Sequence, residues 1–209
     1  MPLVPVVIKR SYEGERSMDL FSRLLDERII FLGEEINDDV ANVVISQLLY
    51  LQSEDPKKDI TMYINSPGGS VVSMWAMIDT MNLISCDVST VCVGLAASAA
   101  SAMLVSGTKG KRYMLPHARV MIHQPMGGAR GQATDIKIVA DEILKTREEM
   151  YQYMVEKTGQ PYERISTDME RDFYMDAKQS LEYGVIDKII GLDDLETDVK
   201  TTSIKPKKK

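Results

Sequence analysis

Cysteine and histidine are scarce in this chain: its 209 residues hold two of each, with one tryptophan and three phenylalanines. Two cysteines exclude a disulfide framework. Cys86 and Cys92 fall in or beside apolar runs, where a free cysteine acts as a small buried hydrophobe, consistent with a reducing compartment. With only His117 and His123, and no His-x-x-x-His or Cys-x-x-Cys spacing, the sequence predicts no metal site. Positive charge is short as well. Lys plus Arg number 25 against 31 Asp plus Glu, a net charge of -6, which gives neither a nucleic acid nor an anionic membrane electrostatic support. There is no G-x-x-x-x-G-K-[ST] and no post-strand G-x-G-x-x-G, so a nucleotide cofactor has no motif here. The N-terminus lacks a secretory pattern, because residues 1–10 are broken by Pro2 and Pro5 and carry their positive charges after the apolar stretch. They read as a mature cytosolic start with a short arm.

What is present is globular. A composition of 44% hydrophobic and 27% charged residues excludes collagen-like, low-complexity and largely disordered classes. The length suits one domain with an appendage. One uncharged run, residues 88–108, is about long enough to cross a bilayer. It holds Ser89, Thr90, Ser98, Ser101 and Ser106, and changes from β-branched to small residues midway, so it reads as a buried strand, turn and helix.

Helical and extended signals alternate along the chain, the mark of an α/β fold. The pattern predicts a helix over 18–28 and a strand over 29–32. Asn37 then caps a helix keeping Val40, Val43, Val44, Leu48 and Leu51 on one face. A strand over 60–65 ends at Ser66-Pro67-Gly68-Gly69, and a helix over 71–84 and a strand over 88–93 follow. A small-residue helix covers 96–105, with strands over 111–115 and 119–123. After a glycine-rich loop at 127–131, the longest helix runs over 132–157, roughly 40 Å, with Ile136, Ala140, Ile143, Met150 and Met154 on one stripe. Such a length in a small domain predicts packing on another subunit. A short helix, a strand near Phe173 and a helix over 177–183 close the body. The tail at 193–209 is acidic, then ends Lys-Pro-Lys-Lys-Lys, and reads as solvated and disordered.

Three places carry chemistry. Ser98, in Ala96-Ala97-Ser98-Ala99-Ala100, lies where a strand turns into a helix; it is either a nucleophile or a capping serine among small packing residues. Ser101, a turn later, falls inside the helix. Gly68 and Gly69 leave backbone N–H groups free either to form an oxyanion hole or to make a plain turn. A serine nucleophile needs a base, for which imidazole is usual. His117 follows Pro116 in a turn, whereas His123 ends an apolar strand and is the favoured base. With 31 acidic residues, composition does not single out the carboxylate that orients the base.

Separated blocks in one order then resemble a known family: "DLFSRLLDERIIFLG" (19–33), "YINSPGG" (63–69), "AAS" (96–98), "MIHQP" (121–125), "GQATDI" (131–136) and "ERDFYM" (170–175). The chain looks like a proteolytic subunit of the Clp protease, the ClpP family, over about 17–191. The resemblance implies a ClpP/crotonase-like α/β fold with a protruding strand–helix handle. It implies an N-terminal arm or axial loop at 1–18, a peptidase domain at 19–192 with its handle at about 124–158, and the tail beyond. It implies an ATP-dependent serine endopeptidase with Ser98 as nucleophile, His123 as base, Asp172 as orienting carboxylate, and Gly68 and Ala99 as oxyanion donors. It further implies seven-membered rings stacked in pairs through Gln132, Asp135, Glu170 and Arg171. An AAA+ unfoldase of the Hsp100 class (ClpX, ClpA or ClpC type) would dock at Leu49, Tyr63, Leu83, Tyr113 and Leu115 and deliver unfolded proteins. The unfoldase, not this chain, would use ATP, so no cofactor is expected. The setting implied is cytoplasm, or plastid stroma for an organellar source. Ala99-Ala100 stands where the family often has Met-Gly, a change that a backbone N–H donor at Ala99 should tolerate; Thr61 stands where an aromatic is common, which predicts weaker or partner-specific docking. The competing readings are a crotonase-type acyl-CoA enzyme, which shares the fold without this Ser/His/Asp set, and a non-catalytic subunit of a mixed ring.

Overall fold

The computed structural model describes residues 4–11 and 14–191. The charged tail at 193–209 lies outside the described residues. Strands β1 (Val6–Ser11) and β2 (Gly14–Asp19) form an antiparallel hairpin with Val6 opposite Asp19. The N-terminal arm therefore pairs with the residues that follow it. Residue 18, expected to open a helix, is still in β2; Asp19 caps the helix instead, its carboxylate accepting from Ser22 N–H, and α1 is Leu20–Asp26.

The body is a parallel α/β sheet built from β3 (Ile29–Leu32), α2 (Asp38–Glu54), β4 (Ile60–Ser66), α3 (Val71–Leu83) and β5 (Val88–Ala97). After α4 (Ala99–Val105) come β6 (Arg112–Met114), β7 (Arg119–Ile122), α5 (Ala133–Thr158), α6 (Tyr162–Asp168), β8 (Phe173–Met175), α7 (Ala177–Tyr183) and β9 (Lys188–Ile189). The main path runs β3-β4-β5-β6-β9, all parallel, while β7 pairs with β5 and β8 pairs antiparallel with β7.

Strand β5 serves two neighbours in turn. Thr90 to Cys92 pair with β6, and Leu95 to Ala97 pair with β7. This is why the strand runs four residues past the β-branched stretch that ends at Val93: pairing with β7 holds Ala96 and Ala97 extended despite their helix-permissive character. The helix after it is correspondingly short. All seven of its residues are buried, Met103, Leu104 and Val105 as fully as the alanines, so the helix is enclosed on every side.

Helix α2 starts as its sequence predicts, with the Asn37 side chain accepting from Val40 N–H at 2.9 Å. Its buried face is Ala41, Val44, Leu48 and Leu51, and Val43 is turned outward. Arg28, at φ 62°, sends its guanidinium to the carbonyls of Leu51, Lys58 and Asp59, tying the end of α2 to the start of β4. At the far edge, buried Arg112 pairs with Asp187 and donates to Lys157 O, joining β6, the end of α5 and the β9 approach. Both cysteines are free and buried, and burial pushes the Cys92 thiol up to about 11.

Helix α5 divides in two. Met150, Tyr151 and Met154 are buried against the body, whereas every residue from 126 to 142 is exposed, including Ile136 and Ile138. The expected apolar stripe is covered only in its C-terminal half. Among the described residues, no helix is long and apolar enough to cross a membrane.

Candidate active site

Ser98 lies between the last residue of β5 and the first of α4, at φ 55° and ψ -124°. A non-glycine residue with positive φ costs on the order of 1–3 kcal/mol and persists only where its surroundings hold it. Here Ser98 N–H donates to Met121 O at 2.8 Å, and Ser98 O accepts from the N–H and hydroxyl of Ser101. Ser101 is therefore occupied in shaping the turn. The strained strand-to-helix turn is that of a nucleophile elbow, without the G-x-S-x-G pattern.

The elbow projects Ser98 Oγ to 2.7 Å from His123 Nε2, and His123 Nδ1 lies 2.9 Å from Asp172 Oδ1. His123 follows β7 and Asp172 precedes β8, whose pairing sets Ile122 opposite Phe173. The imidazole is largely buried, its side chain 10% exposed, while the Asp172 carboxylate is 58% exposed. Gln124 closes the same region. Its N–H donates to Met169 O at 2.5 Å and its side-chain amide to Glu170 O, fastening the segment ahead of Asp172. His117 is exposed in a turn and takes no part.

The Ser66-Pro67-Gly68-Gly69 segment packs directly on the elbow. A Cβ at Gly68 would stand 2.5 Å from Ala97 O, 2.8 Å from Ser98 Cβ and 3.0 Å from Ala99 N, and its φ is +95°. Glycine is thus required on both steric and conformational grounds. Gly69 is as tightly held, since a Cβ there would meet Ile36 O at 2.1 Å. Ala99 opens α4, so its N–H has no intrahelical acceptor. The Ala99 N–H therefore lies beside Ser98, while the Gly68 N–H donates to the buried Ser66 Oγ at 3.2 Å.

Of the other residues singled out from sequence, Gln132 precedes α5, Asp135 is in its first turn, and Glu170 and Arg171 lie exposed just ahead of Asp172. Among the described residues, Arg171 has no ion-pair partner within its own chain. Tyr63 and Tyr113 flank Val91 in one row across β4, β5 and β6, with Leu115 two residues on, whereas exposed Leu49 and Leu83 stand on α2 and α3. Among the described residues, no group of three or more His, Cys, Asp or Glu is gathered as a metal site. A cavity of about 510 Å³ is lined by Phe21, Leu24, Ile29, Phe31, Val40 and Val43 among others, and none of Ser98, His123 and Asp172 lines it.

A crotonase-like α/β body carrying serine, histidine and aspartate hydrogen-bonded in series has the build of a serine hydrolase. The family model described as Clp protease matches residues 12–193, and the chain belongs to that family, a family of serine peptidases.

Proposed function

We propose that the chain is the serine endopeptidase subunit of a barrel-shaped, ATPase-dependent protease that cuts unfolded proteins into short peptides. One observation carries the reading: the unbroken hydrogen-bonded series Asp172–His123–Ser98.

In this reading the Asp172 carboxylate accepts from His123 Nδ1–H, which leaves the Nε2 lone pair facing Ser98. His123 takes the Ser98 proton as Oγ attacks the scissile carbonyl, then returns it to the leaving amine. The Gly68 and Ala99 N–H groups receive the oxyanion; such a donor is worth about 10²–10³ in rate. Water repeats the sequence on the acyl-enzyme.

Self-association into two stacked seven-membered rings is supported by the uncovered first half of α5 and by the exposed apolar side chains of Phe21, Phe31 and Val43. An Hsp100-class AAA+ unfoldase would dock on Leu49, Tyr63, Leu83, Tyr113 and Leu115 and supply the ATP chemistry, in the cytoplasm or plastid stroma.

The test is labelling with a fluorophosphonate, located by peptide mass mapping. Modification at Ser98, lost in Ser98→Ala along with cleavage of a fluorogenic peptide, is the expected result. Cleavage retained by Ser98→Ala but lost in Ser101→Ala would overturn it.

A further inference from the structure

The carboxylate that orients the base is the least enclosed member of the triad. Asp172 is 58% exposed against 10% for His123. A side chain this open to water turns freely on a fast timescale unless its backbone is held. On the C-terminal side the holder is β8, where Phe173 pairs with Ile122. On the N-terminal side there is no strand. Carried two steps past Ile122–Phe173, the register would set Gln124 opposite Arg171. The Gln124 donors go elsewhere: its N–H to Met169 O at 2.5 Å and its side-chain amide to Glu170 O at 3.1 Å. Arg171 is therefore looped past, and Asp172 lies in a two-residue span between two fixed points.

The N-terminal fixed point is the end of α6. Ile165 and Met169 are buried in the core, and Met169 N–H closes the helix on Ile165 O at 2.9 Å. Asp168 accepts from the Tyr183 hydroxyl at 3.0 Å and pairs with Arg164, whose guanidinium lies over the Tyr183 ring. A helix leaves its last carbonyls without partners of their own. Here the Gln124 N–H takes Met169 O, and the Gln124 side chain takes the next carbonyl along, Glu170 O. Only the second of these bonds depends on which residue stands at 124. It ties the residue directly after the base to the second residue before the carboxylate, and so fixes where the span to Phe173 begins.

We propose that Gln124 is a positioning residue for the triad: its side-chain amide, tied to Glu170 O, holds the short span carrying Asp172 so that Oδ1 stays on His123 Nδ1. Gln124 acts through Asp172 rather than on the substrate. The role rests on reading Ser98, His123 and Asp172 as a hydrolytic triad. It serves the steps in which His123 takes and returns a proton, and substrate binding does not depend on it.

The experiment compares Gln124→Met and Gln124→Glu with the unmodified chain, each as the full assembled protein, on a fluorogenic peptide. Methionine keeps the length of the side chain without its donor, and glutamate keeps its shape while setting an acceptor against Glu170 O. Both substitutions are then repeated in an Asp172→Asn background. Each is expected to lower kcat about tenfold or more with KM within twofold, since a misplacement of about 1 Å can cost about 10² in rate. In the Asp172→Asn background the same substitutions are expected to change the residual rate less than twofold, because the group they position is already lost. A kcat within twofold of the unmodified chain for either variant, a loss carried in KM, or an equal fold loss in the Asp172→Asn background would each overturn the proposal. An Asp172→Asn rate within tenfold of the unmodified chain would instead overturn the triad reading, so the two failures are distinct.

Discussion

His123 and Asp172 face each other one step beyond a paired ladder. Ile122 on β7 is paired with Phe173 on β8, so the next residue forward on one strand meets the preceding residue on the other, and Nδ1 reaches Oδ1 at 2.9 Å. Two residues 49 positions apart are thus aligned by antiparallel register, and a slip of one strand by one residue would turn its member of the pair to the other face.

Asp172→Asn tests that alignment. An amide can donate to Nδ1 and favour the wrong tautomer, and in a triad such a change costs about 10⁴ in kcat. With the carboxylate 58% exposed, the fold and melting temperature should hardly move. Peptide turnover alongside a thermal melt reads both; a rate within tenfold of the unmodified chain would refute the assignment.

Two glycines with similar backbone angles should respond differently to alanine. Gly68 has φ +95° and meets Ala97 O at 2.5 Å, whereas Gly110 has φ +87° and nothing within 4 Å. Gly68→Ala should lower peptidase activity a hundredfold or more, as expected when an oxyanion donor is displaced. Gly110→Ala should keep full activity and lose only about 1 kcal/mol of stability to the left-handed strain. Equal effects at the two positions in parallel assays would refute the close packing on the elbow.

The Arg112–Asp187 pair predicts an acid-sensitive edge. Burial raises the Asp187 pKa, but hydrogen bonds from the Arg112 guanidinium and from the Arg112 and Gly110 N–H groups outweigh it, so the carboxyl lies below its ordinary 3.8. Its stabilisation is therefore fully present above that value and fades as pH falls through it toward the lower folded value. Asp187→Asn should destabilise at neutral pH, and the gap should close below about pH 4 in denaturation curves taken across the range. Arg112→Met, which strands the carboxylate, should cost about 3–5 kcal/mol. A gap that widens in acid would contradict this sign.

Arg171 is one residue from Asp172 and, among the described residues, has no ion-pair partner within its own chain. If it pairs across the ring–ring contact with Glu170 or Asp135, Arg171→Ala frees the segment that carries the carboxylate. Size-exclusion combined with peptidase assay should show single rings, or stacked rings of reduced activity, and weaker fluorophosphonate labelling. High salt should act in the same direction, since exposed charges are screened over roughly 10 Å at 0.1 M. Normal stacking with a normal rate would remove the coupling.

Much of this was legible in the chain, for reasons that differ by element. Helix α7 matches its expected span, Ala177–Tyr183, because Asp176 and Gln179 form a complete capping box and Gly184 ends it in the left-handed region. The end of β5 was not legible, since Gly94 to Ala97 carry no strand propensity and are held extended by β7. Strand β9 is two residues long and exists only as a partner of β6, and the β1–β2 pairing took residue 18 from the expected helix. At the site, Ser98 and His123 stood out by residue type and local context. Asp172 did not, because nothing local distinguishes it among 31 acidic residues; only the family resemblance pointed to it. Ser66 and Gln124 carry a weaker signal, a serine and a glutamine beside Pro-Gly and His, which is readable only once the loop's partners are known.

The burial of α4 has a consequence for how this protein would wear out. Ser98 is rooted in a helix that water does not reach, while Asp172 is carried on an exposed rim, so moderate heat should loosen the rim long before it loosens the core. Inactivation would then precede melting and reverse on cooling. A preparation that has lost its activity would still hold its nucleophile in place, dormant rather than denatured.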